Sequence, residues 1–151
     1  MSNLTEHFTK EEFERSETAS RLGIKNNIPD DLLPNAIKVA QALETVRAHY
    51  GIPIYISSGY RSQDLNKATP GSSNSSAHCF AAAADFRVPG HENIAVCREL
   101  PSIISDFDQI IYEFGPSGWV HLGFRPMLRR QLLTAIKADG KTIYLPGIVE
   151  G

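Results

Sequence analysis

His78, Asp85 and His121 are the residues of this 151-residue sequence whose types and settings suit a metal ion. A polar loop ends at Ser76-Ala77-His78, and an alanine run, Ala81 to Ala84, leads into Asp85. A carboxylate within an apolar strand is costly to bury unless it is paired or binds a cation. His121 stands between Trp119-Val120 and Leu122-Gly123, in what reads as another apolar strand. A lone histidine in a strand is more often a satisfied core residue than a ligand. Two histidines and one aspartate in similar apolar settings shift that balance. Two imidazoles and one carboxylate around zinc leave a fourth tetrahedral position for water, as in a catalytic rather than a structural site.

Water on such an ion needs a base to take its proton. Glu113, at the end of an apolar strand one hairpin before His121, is the candidate, and Asp108 near the start of that strand is the next carboxylate. If Glu113 pairs opposite His121, with Phe114 opposite Val120 and a five-residue loop, both side chains share a face. A slip of one residue puts them on opposite faces. The plainer reading of Glu113 is a solvent-facing strand residue. Arg61 follows the first strand, where a guanidinium can bind a substrate carboxylate, stabilise an oxyanion, or simply anchor the turn through an ion pair.

Other candidates carry less. His7, His49 and His91 have no suggestive neighbours and read as solvated or structural. His91-Glu92 opens the helical zinc-protease pattern, but Ala95 stands where the second histidine belongs. Cys79 and Cys97 do not make a disulfide framework and read as buried thiols. Cys79 follows His78 directly, and in an extended segment it points the other way.

The elements that must position these groups are legible in outline. Thr9 and Glu12 form a capping box before a short helix, with Phe8 and Phe13 placed as a hydrophobic staple. A long helix starts near Asp31 and runs to Tyr50, with Leu33, Ala36, Ile37, Ala40, Leu43 and Val46 at helical spacing and Gly51 as its stop. Pro53 to Ser57 reads as a strand, Gln63 to Ala68 as a short helix, and Pro70 to Ser76 as a loop. Its part from Ser72 to Ser76 is expected to form a mobile rim of the cleft. Ala82 to Val88 is a strand and His91 to Ile104 a helix bent or ended at Pro101. Asp108 to Phe114 and Trp119 to Phe124 form a hairpin. Leu132 to Tyr144, turning at Asp139-Gly140, reads as a closing one, with a helix as the second reading. This order predicts an α+β fold: a small antiparallel sheet with N-terminal helices packed against it, in a single domain over residues 1–151.

Composition narrows the function. The 42% hydrophobic content fills a core without disulfides or metal, so a bound ion would serve chemistry rather than folding. A net charge of −2 and no basic stripe argue against nucleic acid. No apolar run approaches the length of a membrane span. Met1 to Glu6 lacks the basic start and apolar stretch of a secretory signal, so synthesis in a cytoplasm is expected.

Ser58-Gly59-Tyr60-Arg61-Ser62 with Asn66 following, Ser76-x-His78, Asp85 seven positions on, and Trp119-x-His121 together resemble the zinc D-alanyl-D-alanine carboxypeptidase family. That family also includes phage endolysins and L-alanyl-D-glutamate peptidases. The likeness runs from about Leu4 to Tyr144, and the ordered set is far more specific than any one part. The resemblance implies hydrolysis of peptide bonds in bacterial peptidoglycan stem peptides, with one catalytic Zn2+ on His78, Asp85 and His121. It implies that Arg61 steadies the carbonyl oxygen of the tetrahedral intermediate and that Ser76 lies near the substrate, with Tyr60 and Trp119 as further substrate-binding candidates. A monomer acting on a peptide partner is expected. The missing signal fits a phage protein that reaches the wall by a separate route, or one acting on soluble precursors.

Two departures from the family pattern matter. Many members carry an acidic residue three positions before the last histidine, where this chain has Gly118, so the base is expected to be Glu113. Members usually have glycine three positions after the first histidine. Ala81 stands there and asks for a negative φ or a wider approach. Both departures favour the alternative from another class, a non-catalytic or structural phage-particle module that keeps the fold, with or without the zinc.

Overall fold

Thr9 opens the first helix, α1 (Lys10–Glu14), by accepting the Glu12 N–H while the Glu12 carboxylate accepts the Thr9 N–H. Phe8 and Phe13 beside this box are both fully buried. A computed structural model of the protein describes residues 2–69, 76–124 and 127–150. Most of the expected mobile rim, residues 72–75, therefore lies outside the described residues. The single short helix expected at the N-terminus is two. Arg15 takes an extended backbone, and Ser16 then caps α2 (Glu17–Leu22) by accepting the Ala19 N–H.

A 3-10 turn over Asp30–Leu32 leads into α3 (Leu33–Tyr50), which ends at Gly51 with φ 70. Its buried stripe is Ala36, Val39, Ala40, Leu43 and Val46, so the stripe passes through Val39 where the sequence suggested Ile37. After β1 (Tyr55–Ser58) come α4 (Gln63–Lys67), a 3-10 turn over Ala77–Phe80, β2 (Ala83–Arg87) and α5 (Asn93–Ile103). Pro101 sits inside the last turn of α5. The chain closes with β3 (Gln109–Glu113), β4 (Trp119–Gly123), β5 (Gln131–Ala138) and β6 (Lys141–Pro146).

The six strands form one sheet in the order β1-β2-β4-β3-β5-β6, giving the expected α+β class. All neighbours are antiparallel except β3 and β5, which are parallel. The closing hairpin does not follow β4 across the sheet but crosses to the far side of β3. A short link suffices because Gly123, Gln109 and Gln131 lie abreast, so β4 ends at the edge where β5 begins. Asp108 holds that crossing: its buried carboxylate accepts from the Arg129 backbone and from both ends of the Arg129 guanidinium, at 2.8–3.1 Å. The β5–β6 turn is the Asp139-Gly140 pair, both at positive φ (52 and 75), as a two-residue hairpin loop requires.

Strand alternation then sorts the side chains. Ala84, Phe86, Ile110, Tyr112, Val120 and Leu122 enter the main core with the stripe of α3 and with Val96, Cys97 and Leu100 of α5. Asp85, His121, Ile111, Glu113, Trp119, Ala135 and Tyr144 take the other face through the strand registers. One face of the sheet is thus spent on packing and the other carries Asp85, His121 and Glu113.

Candidate metal centre

Asp85 and His121 are direct cross-strand partners on β2 and β4, and each is 7% exposed. The His121 Nδ1 lies 2.9 Å from Asp85 Oδ1. His78 reaches the same oxygen from above the sheet, with Nε2 at 3.2 Å. Its position differs from the apolar strand setting expected for it: it sits on the 3-10 turn over Ala77–Phe80, capped by Ser76, whose hydroxyl accepts the His78 N–H. The two imidazole rings stand 5.2 Å apart, and one ligand atom from each of the three residues lies within 4.8 Å of the others. Ligands about 2.0–2.1 Å from a tetrahedral zinc ion sit about 3.3 Å apart, close to the two Asp85–histidine distances.

The hydrogen-bond pattern fits a cation in this space. His78 Nδ1 lies 2.5 Å from the Gly59 carbonyl oxygen, which can only accept, so Nδ1 carries the proton. Gly59 is itself pinned, since a Cβ there would fall 2.7 Å from the Phe13 carbonyl oxygen. Burial keeps the His78 imidazole neutral, against the pull of Asp85, so its Nε2 is a bare lone pair. That lone pair faces a carboxylate oxygen at hydrogen-bond distance, which is repulsive unless a proton or metal ion lies between them. Burial alone would also raise the Asp85 carboxyl. The neighbouring imidazoles of His78 and His121 outweigh it and hold Asp85 well below the usual carboxylate range. Burial likewise works against a charged His121, but its hydrogen bond and attraction to Asp85 win and raise its pKa.

Glu113 stands opposite Trp119 rather than opposite His121, and Ile111 takes the place across from His121. The shift is two residues, so Glu113 and His121 still share a face, as neighbours on the diagonal. Burial and the Asp85 charge push the Glu113 carboxyl up to about 7, against the opposing influence of His121, the Trp119 indole and Arg61. The Trp119 Nε1 pulls on Glu113 without a hydrogen bond of full geometry, and among the described residues it is a buried donor with no partner.

Gly118 has no room for the acidic side chain found there in many relatives of this pattern. The loop turns through Phe114 and Gly115 at φ 62 and 75, and a Cβ on Gly118 would lie 1.7 Å from the Glu113 carbonyl oxygen. Asn93, at the start of α5, clamps the loop by donating to the Gly118 carbonyl at 3.1 Å. Ala81 is also corrected. It adopts the left-handed conformation, φ 55 and ψ 28, with its N–H bonded to the His78 carbonyl. The chain keeps the glycine-type backbone and accepts the strain of a Cβ in it.

Arg61 donates to the Ser76 hydroxyl at 3.1 Å, which joins two of the expected site residues, while its Nε is buried without a partner. No ion pair to Arg61 is found among the described residues. Tyr60 is drawn into the main core, 7% exposed, with its N–H on Phe13 and its carbonyl accepting from Asn26. Asp108 is held by Arg129 at the far end of β3. Cys79 and Cys97 are free and buried. Tyr144 was not singled out in the sequence. The strand registers nevertheless place it on the face of Glu113, two strands away. Its only signal in the sequence is its spacing from the Asp139-Gly140 turn, which is useless until β5 is known to lie beside β3.

A family model described as Peptidase M15 matches residues 6–123. The matched span holds His78, Asp85, His121, Arg61, Ser76, Glu113 and Trp119, and ends before β5. A search among curated proteins finds no match. Among the described residues no helix is long and apolar enough to cross a membrane. With most of the chain matched and a His-Asp-His cluster on the face opposite the core, the chain belongs to the peptidase M15 family of zinc peptidases.

Proposed function

We propose that this protein hydrolyses peptide bonds in peptidoglycan stem peptides, with His78, Asp85 and His121 holding one zinc ion. The observation that carries the metal assignment is the bare Nε2 of His78 facing the same Asp85 oxygen that His121 approaches. When bound, the ion supplies a Lewis acid and lowers the pKa of a coordinated water. Glu113 takes the proton of the attacking water and returns it to the leaving amine nitrogen. Its raised pKa in the metal-free site suits a group that must hold and release a proton, and a nearby cation lowers that pKa again.

Two orphaned donors support the substrate side of this reading. The Arg61 Nε and the Trp119 Nε1 are buried without acceptors, and a buried donor left unpaired costs about 1–3 kcal/mol. A substrate oxygen offers each an acceptor. Arg61, already steadied by Ser76, meets the developing charge on the scissile carbonyl oxygen. Tyr60 supports the site from the core rather than touching the peptide. A phage-encoded enzyme that meets the wall from a lysing cell fits this chemistry.

The test is digestion of purified muropeptides by the zinc-loaded protein, read by mass spectrometry, beside Glu113→Gln. Cleavage at one bond type, lost in the variant with zinc retained, is expected. A zinc-loaded protein that leaves every stem peptide intact would instead identify a non-catalytic module.

A further inference from the structure

The sheet register lines up Trp119, Glu113, Ala135 and Tyr144 abreast on four successive strands, β4, β3, β5 and β6. All four share the face that carries Asp85 and His121. Ala135 is the smallest of them and lies between Glu113 and Tyr144, so little side chain separates the tyrosine from the candidate base. Tyr144 is 51% exposed, so its ring is open to a ligand on that face. Among the described residues no hydrogen bond engages its hydroxyl. Ala135 and Tyr144 lie beyond the span matched by the family model, which ends at residue 123.

We propose that Tyr144 is a substrate-binding residue that closes the β6 side of the cleft, its ring lying along the peptide and its hydroxyl donating to a peptide oxygen. The proposal rests on the peptidase reading above and extends it across the sheet. Neighbouring strands lie about 4.8 Å apart, so β6 stands about 14 Å from β4, the length of about four extended residues. A peptide running from His121 on β4 across β3 and β5 therefore reaches Tyr144. The environment selects a neutral donor there. Burial, and after it the negative charges of Glu113 and Asp85, raise the phenol pKa, so the hydroxyl keeps its proton. A lysine at that place would pair with Glu113 and disable it, whereas a phenol binds an oxygen without neutralising the base.

The test compares Tyr144→Phe and Tyr144→Ala with the unaltered zinc-loaded protein on a purified stem pentapeptide. Ile143→Ala, on the same strand but facing the other way, is the control. One lost hydrogen bond corresponds to a KM increase of about 3–10-fold for Tyr144→Phe, and loss of the ring raises it further, to about 10–50-fold for Tyr144→Ala. Because the hydroxyl is remote from the reacting atoms, kcat should stay within about twofold in both variants. Zinc content and melting temperature should match the unaltered protein. Hydrolysis by the unaltered protein with unchanged KM in both variants overturns the role of Tyr144 and leaves the peptidase reading standing. Failure of the unaltered protein to bind or cleave the pentapeptide overturns both.

Discussion

Gly118 lies so close to Glu113 that a Cβ built on it would stand 1.7 Å from the Glu113 carbonyl oxygen. The contact is with backbone, so no rotamer change can relieve it. Gly118→Ala should therefore open the β3–β4 loop and displace Glu113, costing at least about 2–3 kcal/mol, the upper range for single substitutions. Gly118→Glu, which writes in the acidic residue common at that place in related patterns, should lose activity rather than gain a second base. Thermal unfolding and muropeptide turnover of the two variants check this. A Gly118→Glu protein as stable and active as its parent would show that the loop can relax.

Glu113 and Arg61 should separate in kinetics. Glu113→Gln keeps the shape and the metal ligands, so kcat should fall about 10²–10⁴-fold with zinc content unchanged. Arg61→Ala removes a charged donor and should lower kcat about 10²–10³-fold if it serves the oxyanion. If Arg61 instead only grips a substrate carboxylate, KM rises and kcat holds. Full-rate turnover by Glu113→Gln would dismiss Glu113 as the base, and Asp108 could not inherit the role, because Arg129 occupies its carboxylate.

The convergence of His78, Asp85 and His121 was legible in the sequence because these residue types are costly in apolar strands and their order is specific. The long helix, the β3–β4 hairpin and the Asp139-Gly140 turn were legible for local reasons of periodicity and turn chemistry. Strand partners were not. Periodicity tells which side chains share a face of one strand but not which strand lies beside it, so the insertion of β5 against β3 stayed hidden, and with it Tyr144. The same gap explains Glu113: the loop size was right but the pairing was two residues off, an even slip that keeps the face. Gly118 read as an absence because its contact with Glu113 depends on the path of the whole loop.

Between about pH 5.5 and about pH 8, acidity should act oppositely on the metal-free and metal-loaded protein. Without metal, the depressed Asp85 pKa gives stability that is present above about pH 4 and lost as pH falls through its folded value. The raised His121 pKa gives stability that is present below about pH 6.5 and lost as pH rises through its folded value. The raised Glu113 pKa also costs stability as pH rises toward 7. Metal binding needs His121 without its Nδ1 proton, so zinc gains affinity with rising pH. The difference in melting temperature between zinc-loaded and metal-free protein should therefore widen from about pH 5.5 to about pH 8. A gap that stays constant or narrows over that range would exclude proton–metal competition at His121.

Ala81 gives the last prediction, and three effects of similar size decide it. The residue is fully buried and adopts φ 55 directly after the turn that carries His78. Replacing it by glycine relieves a left-handed backbone that costs an L-residue about 1–2 kcal/mol. The same change frees the unfolded chain, which costs about 0.4–1 kcal/mol, and removes a buried methyl worth about 0.8 kcal/mol. The sum is near zero, so Ala81→Gly should be neutral within about 1 kcal/mol in chemical denaturation. An alanine of ordinary backbone in the same core, such as Ala84, lacks the compensating relief. Ala84→Gly should lose at least about 1 kcal/mol through the methyl and chain-entropy losses together. Ala81→Val adds a branched side chain at positive φ and should be much worse than either, with loss of zinc as His78 shifts. Equal destabilisation by glycine at positions 81 and 84 would mean that Ala81 stores no strain.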